Sequence, residues 1–105
     1  MPAVTRTAST RGVEVWPGSS TSVITASETN QITASKTRLS RVVVWGVGTT
    51  WVIDVYDHAS ANTNPVWQWV SADGKGTFQV EIPLQLGLRV VTSGGAAGSV
   101  TLVWA

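Results

Sequence analysis

The sequence predicts an all-β fold, a single antiparallel β-sandwich that is jelly-roll-like with about eight strands. Three observations carry this expectation. Apolar side chains alternate in short runs from Gly12 to the last residue, turn-forming clusters separate those runs at near-regular spacing, and no stretch longer than one turn shows a helical repeat. At 105 residues with 43% hydrophobic content, the chain is long enough for one domain around one core. The expected organisation is a flexible N-terminal arm over residues 1–11 and a sandwich over 12–105.

The arm, MPAVTRTASTR, mixes hydroxyls, alanine and two arginines with almost nothing to bury. It reads either as a frayed terminus or as a strap that orders on a neighbouring subunit. Val13, Val15 and Trp16 then form a first strand-like run, closed by the turn cluster Pro17-Gly18-Ser19-Ser20. Two short segments follow, around Ser22–Thr25 and Asn30–Ala34. They carry an internal echo: Ile24-Thr-Ala-Ser-Glu-Thr29 returns as Ile32-Thr-Ala-Ser-Lys-Thr37. Two copies at an eight-residue period are too few and too short for a solenoid, so the echo reads as two similar strand-to-turn passages.

The strongest strands are Arg38–Val47 and Trp51–Asp57, rich in valine, isoleucine and tryptophan. Gly48-Thr49 between them fits a two-residue hairpin turn. That pairing places Val42, Val44, Trp51, Ile53 and Val55 on a core face. Arg41, Val43, Trp45, Val52, Asp54 and Tyr56 then share the opposite face, which is too apolar for water and too charged for an interior. Arg41, Val43, Trp45, Val52 and Tyr56 are therefore the candidate subunit contact. Asp73-Gly74 marks a second hairpin that sends Trp67 and Trp69 to the side of Phe78, Val80 and Ile82. A last pair, Leu86–Thr92 and Gly98–Trp104, flanks the loop Ser93-Gly-Gly-Ala-Ala97 and needs a bulge or an odd loop to keep both apolar sets inward.

Composition narrows the function classes. Charged residues make up 12% of the chain, about half the usual share, so part of the exterior is expected to be covered by another copy. A net charge of +1 with scattered basic residues offers no case for nucleic acid. There is no cysteine, hence no disulfide framework or thiolate metal site. No run approaches membrane-spanning length and residues 1–11 lack a signal-peptide core, so a soluble protein made in the cytoplasm is expected.

Reactive groups are sparse. Asp54-Val-Tyr-Asp57-His58 is the one cluster with catalytic or metal-binding character, but in a strand Asp54 and Asp57 point to opposite faces, and Asp57 suits an Asx-turn. Asp57, Ser60, Asn62, Thr63 and Asn64 form an oxygen-rich loop with a single carboxylate, whereas calcium loops bring several. Asp54 and Glu81 are a conceivable glycosidase pair that nothing in the sequence draws together. Six tryptophans allow a sugar-stacking platform at Trp67-Gln-Trp69, against which the hairpin register sends both rings inward. No catalytic residue, metal or cofactor is expected.

Arg38-Leu-Ser-Arg-Val-Val-Val44, Asp54-Val-Tyr-Asp-His-Ala59, Pro83 with Gly87-Leu-Arg-Val-Val91, and Gly94-Gly95 running into Val100-Thr-Leu-Val103 resemble small all-β virion proteins of tailed bacteriophages, among them capsid decoration (cement) proteins. The resemblance covers roughly residues 37–105 and rests on strand patterns and turn residues. It implies a non-enzymatic protein, commonly trimeric, that binds the major capsid protein on the virion surface and ties neighbouring shell subunits together. The expectation is a homotrimer that decorates a phage head, with Val4, Arg6 and Arg11 of the arm on the capsid. The alternatives are a carbohydrate-binding or receptor-binding module, or a head-fibre or tail component.

Overall fold

A computed structural model describes residues 19–105. Eight strands follow in order: β1 Ser20–Ile24, β2 Thr29–Thr33, β3 Thr37–Gly46, β4 Val52–Tyr56, β5 Trp67–Val70, β6 Gly76–Leu84, β7 Leu88–Ser93 and β8 Ser99–Trp104. They build two antiparallel four-stranded sheets in the orders β1-β8-β3-β6 and β2-β7-β4-β5. The pairs β1·β8, β2·β7, β3·β6 and β4·β5 are nested one inside the next. This is one long antiparallel ribbon rolled on itself, a jelly roll, as the strand count and patterning predict.

Alternation decides which side of each strand is buried. Val42 and Val44 of β3, Ile53 and Val55 of β4, Leu88 and Val90 of β7, and Val100 and Leu102 of β8 all face the space between the sheets. Trp51 and Trp69 fill it edge to face, with ring centroids 6.2 Å apart and planes at 78°. Where the edges of β5 and β6 face each other, Trp67 meets Phe78 at 6.0 Å and closes that flank.

The three expected hairpins do not form. β3 pairs with β6 and β8 and β4 with β5 and β7, so the chain crosses between sheets after Val47 instead of turning back. Thr49 bridges Ala96 and Gly48 has φ 64°, which directs the connection onto the β7–β8 loop. Around Asp73-Gly74 the chain makes a 3-10 turn over Ser71–Asp73: the Asp73 carboxylate accepts the Val70 N–H at 3.0 Å, and Gly74 O accepts the Trp69 indole N–H at 3.1 Å. β5 and β6 consequently lie in different sheets, as do β7 and β8, so no odd loop or bulge is needed between the last two. Every residue of the expected core face of Arg38–Asp57 is nevertheless buried, because alternation belongs to each strand whichever neighbour it has. The echo finds its reading too: Ile24 ends β1 and Thr29 starts β2, while Ile32 lies near the end of β2 and Thr37 starts β3.

Candidate interaction surface

One end of the sandwich gathers the loops β2–β3, β4–β5 and β6–β7, and Asp57 and His58 lie here. Asp57 follows β4 directly, and its carboxylate accepts the backbone N–H groups of Gln85 (3.1 Å) and Leu86 (2.8 Å). Burial opposes ionisation of Asp57, but the amides of Leu86, Gln85 and Gly87 together with His58 outweigh it, and the carboxyl is held below the usual carboxylate range. His58 Nδ1 accepts the N–H groups of Ser60 and Ala61, both at 3.0 Å. These are loop-shaping bonds. Asn62 Oδ1 accepts from Arg89 Nε at 2.7 Å, so the oxygen-rich loop is bonded into the fold, and no metal-competent group of three His, Cys, Asp or Glu side chains occurs among the described residues. Asp54 on β4 bonds Gln68, and Glu81 on β6 bonds Arg38, which leaves the conceivable glycosidase pair on different sheets.

The depressed Asp57 carboxyl carries a pH dependence. A lowered folded-state value contributes stability in full above the ordinary aspartate value of about 4, and the contribution is lost as pH falls through the folded value. Asp57→Asn should cost about 1–2 kcal/mol at pH 7 by weakening the amide bonds. The gap from wild type should narrow progressively below about pH 4. Urea titrations across that range check it; a gap that stays constant down to acid pH counts against the carboxylate's role.

The outer face of the second sheet carries Val52, Val70 and Val91 beside a bonded polar cluster. Tyr56 lies opposite Arg89 across β4 and β7, and Arg89 reaches Gln31 Oε1 at 2.9 Å as well as Asn62. Gln31 Nε2 donates to the carbonyls of Thr33 (2.9 Å) and His58 (2.8 Å). Burial, with Asp54 adding to it and Arg89 opposing, pushes the Tyr56 phenol upward.

The outer face of the first sheet differs. Val23, Thr101 and Val43 stand side by side on β1, β8 and β3, and Trp45 lies just beyond Val43 on the same face. Trp45 is 57% exposed and Val23 59%, yet the indole is not loose: its Nε1 donates to Thr101 Oγ1 at 3.2 Å. The ring is thus exposed and at the same time tethered across a neighbouring strand.

No family model matches this chain, and no curated protein or solved structure matches it either. The surface therefore has to be read from its own geometry.

Sequence reasoning grouped Arg41, Val43, Trp45, Val52 and Tyr56 on one face. The structure divides them: Arg41, Val43 and Trp45 lie outward on the first sheet, Val52 and Tyr56 on the outward side of the second, where Tyr56 is buried. The grouping depended on the β3–β4 hairpin, and it falls with the hairpin. Val4, Arg6 and Arg11 lie outside the described residues. Trp69 is buried and Trp67 half-buried against the core, so neither offers a platform. Trp104 also faces inward, with its Nε1 donating to Ser22 Oγ at 3.0 Å. Val23 and Thr101, the neighbours that complete the Trp45 surface, escaped the sequence reading. Their alternation was visible, but not that β1 and β3 flank β8.

Proposed function

We propose that this chain is a non-enzymatic assembly module, a decoration (cement) protein that binds the outer shell of a bacteriophage head as a homotrimer. The observation that carries the proposal is the tethered, exposed Trp45 beside Val23 and Val43 on the outer face of the first sheet. The jelly roll and the strand patterns that resemble phage virion proteins agree with it. The mechanism is associative. Covering Trp45 and Val23 removes apolar surface from water at roughly 25 cal/mol per Å². The indole already has its polar partner and a fixed ring, so docking orders little that is not ordered beforehand. Repetition over a lattice multiplies a modest gain per site.

Trp45→Ser should shift the sedimentation mass from trimer toward monomer and weaken attachment to shells of the major capsid protein. It should leave thermal stability within about 0.5 kcal/mol of wild type, because the side chain lies on the surface. An unchanged mass together with unchanged shell attachment overturns the proposal. The same exposed ring is what a carbohydrate platform requires, and that reading has its own signature. Tryptophan fluorescence that responds to sugars in wild type but not in Trp45→Ser, with a monomeric mass throughout, would assign the surface to glycans.

A further inference from the structure

The loop between β4 and β5 is long and held at few points. None of residues 59–64 is buried, and residues 62–66 are all exposed. Among the described residues, three hydrogen bonds fix positions 59–64. Arg89 Nε donates to Asn62 Oδ1 at 2.7 Å, and the other two converge on a single atom. His58 Nδ1 accepts the N–H groups of Ser60 and Ala61, both at 3.0 Å. A segment with so little burial owes its order to such bonds.

One nitrogen accepting two amides fixes the protonation of the ring. Nδ1 must present its lone pair, so the imidazole is neutral and its one proton sits on Nε2. A second proton can enter only at Nδ1, where it turns the acceptor into a donor that faces two donors. Both bonds then end together. Histidine is the side chain that ordinarily changes charge between about pH 5 and 8, so mild acid is enough to deliver that proton.

The backbone beneath the ring does not share this weakness. His58 O accepts from Gln31 Nε2 at 2.8 Å, and a Cβ on Gly87 would stand 2.9 Å from His58 O and 2.5 Å from Thr33 O. Three loops thus meet at backbone distance just before the amides that the ring holds. The charged groups come from several elements. Asp57 precedes the ring; its carboxylate accepts the Gln85 and Leu86 amides, and a positive charge on His58 favours it. Strand β7 brings Arg89 and β4 brings Tyr56, Lys36 is the ionisable residue of the β2–β3 loop, and the β6–β7 loop has none. An imidazolium therefore has Asp57 as its counter-charge, while the displaced amides turn to water.

We propose that His58 is an acid-sensitive latch: a proton at Nδ1 evicts the Ser60 and Ala61 amides and frees residues 59–64 from the end of the sandwich. Asn62 follows directly on Ala61, so release draws it from Arg89, which keeps Gln31 as its partner. The latch is independent of the contact face on the first sheet.

Amide exchange on the full chain tests it, read as protection factors so that the pH dependence of free exchange cancels. Between about pH 7.5 and 5, protection of Ser60 and Ala61 should fall at least about tenfold, while the β3 amides keep theirs. His58→Asn offers a side-chain carbonyl to the same two amides and carries no titrating group, so its loop protection should change less than about twofold. Constant protection in the wild type over that interval overturns the proposal. So does an equal fall in His58→Asn, a fall shared with β3, or one that begins only below about pH 4, where the Asp57 carboxylate is the group that titrates. The wild-type measurement decides alone should the variant not fold.

Discussion

Trp51→Ala should cost about 3–5 kcal/mol, in the upper range for a single substitution. Trp51 is fully buried, stands edge-on to Trp69, and joins two loops at the end of the sandwich opposite Asp57. Its indole Nε1 donates to Ser27 Oγ at 3.2 Å in the β1–β2 loop, and its backbone N–H donates to Ser71 Oγ at 2.7 Å. Ser71 Oγ in turn donates to Val47 O at 2.7 Å, so three connections meet around one residue. Alanine keeps the backbone bond, loses the indole bond and leaves a cavity between two packed sheets that cannot collapse onto it. Urea unfolding of the variant beside Trp51→Phe measures the effect, with phenylalanine recovering part of the packing and none of the indole bond. A loss under about 1 kcal/mol for alanine would show that the core relaxes around the gap.

Gly94→Ala should rival it, for a reason unrelated to burial. Gly94 has φ 132°, and a Cβ there would stand 2.0 Å from Thr50 O, a backbone atom that cannot swing aside. Thr50 itself holds φ 48°, an uncommon conformation for a β-branched residue, and its Oγ1 accepts the Gly95 N–H at 3.2 Å. The β3–β4 and β7–β8 loops are thus fitted to each other at backbone distance, with Thr49 and Ala96 exchanging hydrogen bonds at 2.9 and 3.0 Å. Strain and steric conflict together should cost about 3 kcal/mol or more. Gly74→Ala is the matched control: φ is 82°, but nothing lies within 4 Å of the added carbon. It should cost about 1–3 kcal/mol for the backbone conformation alone, with no steric conflict added to it. Equal melting temperatures for the two variants would mean that the two loops part easily, contrary to the close fit.

These two sites also mark what the sequence could and could not disclose. Val42, Val44, Ile53 and Val55 were readable as inward residues, since a two-residue period is local information. The eight strands were readable from the same alternation and from the turn residues that interrupt it. Partner choice was not local. Gly48-Thr49 and Asp73-Gly74 have the composition of hairpin tips, yet each serves a crossing between sheets. What decides this is that β8 fits between β1 and β3 and that β7 fits between β2 and β4, a preference set by strands dozens of residues away. The proposed contact surface inherited the same limit. Trp45 could be singled out by its parity, whereas its neighbours Val23 and Thr101 come from strands far off in sequence, and Val52 and Tyr56 were assigned to it through a pairing that does not exist.

The nested ribbon also has a kinetic consequence. Ser20 lies opposite Trp104, so the outermost pair joins positions separated by most of the chain, while only β4 and β5 at the centre are close neighbours in sequence. Distant pairings of this sort must restrict a long span of chain before they return any stabilisation, which places folding on the order of milliseconds to seconds. Until β8 arrives, β1 and β3 have no common neighbour, and the first sheet stays in two halves. A crowded assembly pathway would meet the protein with those halves apart, so the interval before closure is when copies are most exposed to joining wrongly.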